Sequence, residues 1–323
     1  MKRSTSRKVA AAALFCASAM ASQVALACSS CGCSLNTDWS AQGFGGQEPG
    51  LRMDLRFDYI DQKDLRSGTK SVNRGALDIP NDNEIQQRTK NNNYTLYIDY
   101  VANADWGVTV MVPWFDRYHT TIAPGDTDIS TSHTNSLADM RVIGRYSGFT
   151  PDHSWGVQFG LKLPTGDIHN TFIDGPQDGQ PLDRGLQPGT GTTDLLVGLF
   201  KYGALNRDWD YFMQGMVQQP LGYKEDFKPG TGLNLSFGLQ YVSFESFTPM
   251  LQINARIEGK DSGAQADIPN SGASLWYLSP GVTFHVSHKA HIYAFVQLPI
   301  YQRVNGFQLE PNYTASLGMH YAF

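Results

Sequence analysis

The chain has few cysteines and, beyond its first 27 residues, no apolar run long enough to cross a bilayer as a helix. Only 4 of its 323 residues are cysteine, and no later stretch approaches the roughly 18 consecutive apolar residues of a membrane-spanning helix. The G-x-S-x-G motif of serine hydrolases and the H-E-x-x-H motif of zinc proteases are also missing. We therefore predict neither a helical membrane protein nor an enzyme.

The first 27 residues have the three parts of a secretory signal peptide. Residues 2–8 are basic, residues 9–20 form a short apolar stretch, and residues 25–27 supply an A-x-A cleavage site. Cleavage there removes four Lys or Arg and no acidic residue, so the net charge falls from −5 to −9. This acidity argues against nucleic acid as a partner.

The end of the chain alternates apolar and polar residues up to its last atom. One face of residues 313–323 consists of Tyr313, Ala315, Leu317, Met319, Tyr321 and Phe323. Such a face suits a strand that meets lipid in a closed barrel, and the last strand of a soluble β-sandwich is the alternative. The terminal Phe323 with Tyr321 resembles the signal read by the bacterial outer-membrane assembly machinery, which we predict as a partner.

Alternation with a period of two residues predicts about twelve strands. They fall at residues 51–60, 87–101, 106–119, 136–148, 154–166, 191–203, 208–220, 231–243, 248–260, 273–286, 290–302 and 311–323. Short and long gaps alternate between them, as the turns and loops of outer-membrane barrels do. We predict an all-β, transmembrane antiparallel β-barrel in the outer membrane of a Gram-negative bacterium, surrounded by lipid, with both termini periplasmic.

Aromatic residues near the predicted strand ends are typical of the two membrane interfaces. They are Trp106, Trp114, Tyr118, Trp155, Tyr202, Trp209, Tyr241 and Trp276. The predicted organisation is then a signal peptide over 1–27, a cysteine-containing periplasmic segment and tether over 28–50, and the barrel over 51–323.

A repeated phrase begins several strands and carries a family resemblance. It reads LADMRVIGRY at 137–146, GTTDLLVGLFKY at 191–202 and GTGLNLSFGLQY at 230–241. With residues 160–167, these phrases resemble the outer-membrane barrel family named for the meta-pathway of phenol degradation, over about residues 50–323. The resemblance implies a transport channel, linked in some cases to the metabolism of aromatic compounds. The cysteine cluster at the N-terminus departs from it.

The faces opposite the apolar ones carry a mixed set that we predict to line a lumen. Its members are Arg52, Asp54, Arg56, Asp58, Asp99, Phe115, Asp139, Arg141, Arg145, Lys162, Asp194, Phe212, Arg256, Glu258 and Phe295. Charges on one strand face need water or each other, so ion pairs are expected to close part of the lumen. The apolar members either line a path for aromatic or amphipathic solutes or only fill a narrow barrel.

Three cysteines open the chain after the cleavage site. Cys28, Cys31 and Cys33 lie within six residues, and thiolates are soft ligands suited to copper or zinc. Alternatively, Cys28 and Cys31 form a disulfide in the oxidising envelope, Cys28 is lipidated, or the segment is passive. His288 and His291, at a predicted turn, are candidates for further imidazole ligands.

Three functions fit these observations. The first is a channel that passes small solutes, aromatic or amphipathic ones among them, by passive diffusion and without a required cofactor. The second is a barrel that handles a soft metal ion or exchanges disulfides with a periplasmic protein through its cysteines. The third is a structural sleeve for a partner protein.

Overall fold

The computed structural model describes residues 48–323, and nearly all of its regular structure is β-strand. The predicted signal peptide and Cys28, Cys31 and Cys33 lie outside the described residues. The strands are β1 (Gly50–Gly68), β2 (Lys70–Ser71), β3 (Ile85–Val101), β4 (Trp106–Ile122), β5 (Ser130–Leu137), β6 (Arg141–Tyr146), β7 (Trp155–Lys162), β8 (Asp194–Ala204), β9 (Trp209–Pro220), β10 (Gly232–Tyr241), β11 (Phe247–Glu258), β12 (Ala273–His285) and β13 (Ala290–Ala322).

The strands close into an antiparallel barrel. Eleven of them, all except β2 and β5, follow one another around the sheet, and β13 returns to pair with β1. The two outer strands extend this circuit locally, since β2 pairs with β1 and β5 pairs with β4. Closure leaves the eleven-strand circuit without the unpaired edges that an open sheet exposes.

The count of twelve predicted strands exceeds this circuit by one. The predicted strands 290–302 and 311–323 are one element, β13, whose first part pairs with β12 and whose last part pairs with β1. It reverses near Gly306, where φ is 56°, a backbone conformation that favours glycine. The predicted strand 136–148 is shorter in the structure, where β6 pairs with residues 106–111 of β4. β5 precedes β6 in the chain and pairs with residues 114–121 of the same strand, β4.

Side chains alternate between an exposed and a buried face along each strand. In β1, Leu55 is 56% exposed, whereas its neighbours Asp54 and Arg56 are each 2% exposed. The same contrast separates Leu195 and Leu199, both exposed, from the buried Leu196. An apolar outer face around a polar interior is the opposite of a soluble protein and is the pattern of barrels in lipid.

The connections differ at the two ends of the barrel. Turns of four to eight residues join β3 to β4, β6 to β7, β8 to β9, β10 to β11 and β12 to β13. At the other end the connections are mostly longer, and residues 163–193 form the longest. We call these the short-turn end and the long-loop end.

Four strands, β1, β3, β4 and β13, continue beyond their predicted ends toward the long loops. There a separate apolar cluster forms from Leu65, Ile85, Ile122 and Leu309. In residues 48–323, no helix has the length and apolar character needed to span a membrane.

Candidate functional site

All fifteen residues predicted to line a lumen are buried or partly buried. Nine are buried: Arg52, Asp54, Arg56, Asp58, Asp139, Lys162, Asp194, Phe212 and Phe295. Six are partly buried: Asp99, Phe115, Arg141, Arg145, Arg256 and Glu258. The structure places them in several distinct groups inside the barrel rather than in one site.

The first group joins Lys162 to two carboxylates. Its Nζ lies 2.8 Å from Asp139 Oδ2 and 3.3 Å from Asp194 Oδ2. Asp139 also accepts hydrogen bonds from the backbone N–H groups of Gly166 and Thr190, at 3.1 and 2.9 Å. The ion group therefore fastens both ends of the long loop 163–193 to the inner wall.

A second group lies toward the short-turn end. Asp99 accepts hydrogen bonds from Arg145 and from Thr109 Oγ1, the latter at 2.7 Å. Arg52 Nη1 lies 3.9 Å from the same carboxylate. One carboxylate thus neutralises part of the charge of two arginines.

Two further pairs form along single strands. Arg56 Nε donates to both oxygens of Asp58, at 2.8 and 3.0 Å, and Arg256 Nη2 donates to Glu258 Oε1 at 2.9 Å. Residues two apart on a strand share a face. The mixed signs in the sequence therefore become ion pairs, as expected.

Two apolar clusters occupy the interior of the barrel. One contains Phe212, Met250, Tyr293 and Phe295, with Tyr202 packed against it. Tyr202 is therefore an interior residue, and its prediction as an interfacial aromatic is wrong. It lies six residues after the buried Leu196 on β8, so the two side chains share the inner face of the strand. The second cluster contains Tyr97, Met111, Ile143, Leu196 and Met216.

A cavity of about 130 Å³ lies inside the barrel under the long loops. Its wall includes the predicted residues Arg56, Phe115, Asp139, Arg141, Lys162, Arg256 and Glu258. Its apolar part includes Tyr97, Met111 and Pro113 from the strands. The loops contribute Arg184 and Phe227.

Arg141 has the fewest polar contacts of the cationic residues in this wall. Among residues 48–323 the structure records no ion pair for it, and its Nη2 lies 3.5 Å from Gln218 Oε1. Its cross-strand neighbours are Met111 and Lys162. Since Asp139 and Asp194 offset the charge of Lys162, an anion bound here would be stabilised by Arg141 itself.

Two arginines of the cavity were missed by sequence reasoning. Arg117 donates to Asn91 Oδ1 at 2.6 Å and to the carbonyl of Leu186 at 2.8 Å. Arg117 lies two residues after Phe115 on β4 and shares its face, so the alternation of the strand predicts that Arg117 also faces the interior. Arg184 and Phe227, whose guanidinium and ring centroid are 5.2 Å apart, lie in loops and give no periodic signal.

The remaining predicted site residues lie elsewhere. Tyr321 and Phe323 face outward, 38% and 62% exposed, and their rings are 5.0 Å apart. His288 is exposed in the turn between β12 and β13, while His291 Nδ1 lies 3.0 Å from His285 Nδ1. Within residues 48–323, no group of three or more His, Cys, Asp or Glu side chains is arranged to hold a metal ion.

A buried carboxyl group lies at the long-loop end. Burial raises the pKa of Glu84 to about 7, and the nearby Asp267 acts in the same direction. Gln86 Nε2 donates to Glu84 Oε2 at 3.2 Å. Glu84 directly precedes β3, outside the strands.

We expect Glu84→Gln to remove a pH dependence of stability. As pH rises from about 4.5 to 7, the unfolded chain loses the Glu84 proton while the folded chain retains it. The free energy of unfolding therefore falls by about 1.4 kcal/mol per pH unit across this window. Urea unfolding in detergent at pH 5 and pH 7 measures the difference. The exposed Glu245→Gln in a short turn is the control, and an equal pH dependence in both variants would contradict the assignment.

Comparison with known proteins finds likeness in structure alone. No model of a known protein family matches the chain, and no curated protein matches it. An outer membrane channel from Pseudomonas putida F1 matches over 85% of this chain and 96% of its own, with 10% sequence identity and a TM-score of 0.61. The fold is that of an outer-membrane β-barrel.

Two other solved barrels match less closely. The beta domain of the Bordetella autotransporter BrkA covers 85% of this chain and 100% of its own, with 13% identity and a TM-score of 0.48. The CymD monoaromatic hydrocarbon channel covers 85% of this chain and 89% of its own, with 9% identity and a TM-score of 0.44.

Proposed function

We propose that the chain is a channel in the outer membrane of a Gram-negative bacterium. It passes small solutes, aromatic or amphipathic ones among them, by passive diffusion, without a cofactor. The observation that carries this proposal is a closed barrel with an apolar outer face, a polar inner face and a cavity inside. No enzymatic role is assigned.

The outer face supports a position in lipid. Leu55, Leu199, Ile300, Leu317 and Phe323 are each more than half exposed. Exposure of so many apolar side chains to water is unfavourable, so a surrounding hydrocarbon layer would stabilise the folded chain. The chain is therefore proposed to contact outer-membrane lipid around its circumference.

Aromatic contacts support a membrane interface at the short-turn end. Two series of rings with centroids 4.5 to 5.2 Å apart run along it, one through Trp106, Tyr146, Phe149 and Trp155 and one through Trp209, Tyr241, Phe244 and Phe247. Aromatic rings favour the headgroup region of a bilayer. In outer-membrane barrels short turns face the periplasm, so we place both ends of the barrel domain there.

The interior supports passage of small solutes only. The two apolar clusters and the ion pairs fill much of the barrel, and the cavity between them and the long loops measures about 130 Å³. A solute would exchange contacts with charged groups for contacts with rings as it passes inward. This suits a molecule with both polar and apolar parts.

The test is transport by the purified full chain in lipid. We expect planar bilayers to show discrete ion conductance, and liposomes to take up small charged aromatic solutes that lipid excludes. Rates equal to those of protein-free liposomes would refute the channel. Recovery of a stoichiometric second protein from the native membrane would instead favour the structural sleeve.

Assembly provides a separate prediction from the proposal. Replacement of Phe323 by serine is expected to lower the amount of folded protein in the outer membrane, because Tyr321 and Phe323 form the proposed recognition signal of the assembly machinery. Heat-dependent gel mobility of membrane fractions measures folded protein. Phe284→Ser, at another exposed aromatic, is the control, and equal losses in both variants would point to lipid contact alone.

A soft metal site at Cys28, Cys31 and Cys33 is a second proposal. The proximity of the three thiols in sequence supports it, and the Nδ1 atoms of His285 and His291 at 3.0 Å could add imidazole ligands. Native mass spectrometry should then detect copper or zinc that Cys31→Ser removes. A chain two protons lighter than expected would favour a disulfide, and an acylated Cys28 would favour a lipid anchor. If the cysteines exchange disulfides, their partner would be a periplasmic protein.

A further inference from the structure

We propose that the cavity under the long loops binds a small aromatic carboxylate, with Arg141 as the residue that holds its carboxylate group. The inference rests on the proposed function and specifies its solute. It places the anion between Arg141 and the aromatic and thioether side chains of the cavity wall. Three observations support it: the charge of the wall, the contacts of Arg141, and the size of the space.

The wall carries more positive than negative charge. Six cationic residues line it, Arg56, Arg117, Arg141, Arg184, Arg256 and Lys162, against three acids, Asp139, Glu258 and Asp261. Each of these acids already has a partner within the protein. Asp139 binds Lys162 at 2.8 Å, Glu258 binds Arg256 at 2.9 Å, and Asp261 accepts the N–H of Gly230 at 2.8 Å. Arg56, Lys162 and Arg184 pair in addition with Asp58, Asp194 and Glu225, which lie outside the lining. Arg141 has no recorded ion pair among the described residues, so it is where the wall would attract an anion from the long-loop end.

Arg141 is the cationic residue of the wall best placed to bind that anion. Lys162 is engaged by Asp139 and Asp194, and Arg184 Nη1 donates to Glu225 Oε2 at 3.0 Å. Arg141, by contrast, has Gln218 Oε1 at 3.5 Å as its recorded hydrogen-bond partner. A planar guanidinium matches the two oxygens of a carboxylate, and such charge-assisted bonds are among the strongest in proteins.

The size and lining of the cavity favour one aromatic ring. An apolar cavity of about 150 Å³ holds a benzene molecule, and this space measures about 130 Å³. Met111, the cross-strand neighbour of Arg141, and Phe115 supply apolar contact. Phe115 already lies 5.3 Å from the guanidinium of Arg117. A ring with a carboxylate substituent would satisfy the apolar surface and Arg141 at once.

The test uses charged aromatic probes, because neutral ones cross lipid unaided. The full chain in a planar bilayer is given potassium benzoate or phenyltrimethylammonium chloride at pH 7. We expect benzoate current to saturate with concentration and to exceed the current carried by the aromatic cation. In Arg141→Gln the half-saturating benzoate concentration should rise about tenfold, the loss of one charge-assisted contact.

Two further variants separate binding from general effects of charge and folding. Arg141→Lys keeps the charge but not the planar fork, so it should fall between the wild type and Arg141→Gln. Arg207→Gln makes the same substitution at an exposed residue of a short turn and should leave benzoate saturation unchanged. Heat-dependent gel mobility verifies that each barrel is folded.

The outcomes distinguish the two levels of the proposal. Conductance with the same benzoate saturation in wild type and Arg141→Gln would overturn the carboxylate site and leave the channel intact. A larger current for the aromatic cation than for benzoate would also overturn it. Absence of any conductance in folded wild-type protein would refute the channel, and the site with it.

Discussion

Replacing Lys162 by methionine is expected to lower the stability of the folded barrel strongly. The Lys162 side chain is 4% exposed, and its ammonium group lies between Asp139 and Asp194, whose side chains are 7% and 0% exposed. Methionine fills similar space but leaves two carboxylates buried without their cation. Removal of one partner from a buried ion pair costs about 3–5 kcal/mol, a large part of the stability of a typical domain. Urea unfolding in detergent, followed by tryptophan fluorescence, measures the loss.

A second substitution tests whether charge is the cause. Asp194→Asn in the Lys162→Met background removes one of the two stranded charges and should recover part of the stability. Lys201→Met, at an exposed position of β8, should have little effect. If the double variant were no more stable than Lys162→Met, packing around the lysine stem rather than buried charge would be responsible.

The strands were predictable wherever one face is apolar. In β1 the alternation of Leu51, Met53, Leu55 and Phe57 with charged residues indicated both the strand and its buried face. Beyond residue 60 the sequence is polar except for Leu65, so the prediction stopped there, yet β1 continues to Gly68. Backbone pairing with β13 extends it, and such pairing leaves no pattern in the sequence.

Strand ends depended on backbone chemistry as well. The fifth strand was predicted to reach residue 166 but β7 ends at Lys162, two residues before Pro164, which lacks the N–H that a ladder needs. Beyond it, Asp139 accepts the N–H of Gly166 and turns the chain inward. β5 was missed because its sequence, STSHTNSL, is polar on both faces.

The interior was predictable from the strands but not from the loops. Alternation assigned Arg141, Lys162 and Asp194 to one side, and the register makes them neighbours across adjacent strands. Arg184 and Phe227 reach the cavity from loops, whose path depends on tertiary contacts. The 5.2 Å approach of these two side chains joins residues 43 positions apart in the chain, a separation that gives no local signal.

Replacing Phe212 by alanine is expected to enlarge the passage through the barrel. Phe212 is 4% exposed and lies across from Gly238 on the neighbouring strand. A Cβ atom at Gly238 would be 2.1 Å from the Phe212 ring, so the ring rests against bare backbone. Removal of the ring leaves a gap that glycine cannot fill. We expect a larger single-channel conductance, with a stability loss of about 3–5 kcal/mol.

Volume and position can be tested separately. Phe212→Leu retains most of the side-chain volume and should conduct nearly as the wild type does. Phe284→Ala removes a ring that is 50% exposed on the outer face and should leave conductance unchanged. Gly238→Ala displaces the ring instead of deleting it, so it should alter conductance without creating the same gap. Unchanged conductance in a folded Phe212→Ala barrel would mean that Phe212 does not limit the passage, and the role assigned to its ring would be wrong.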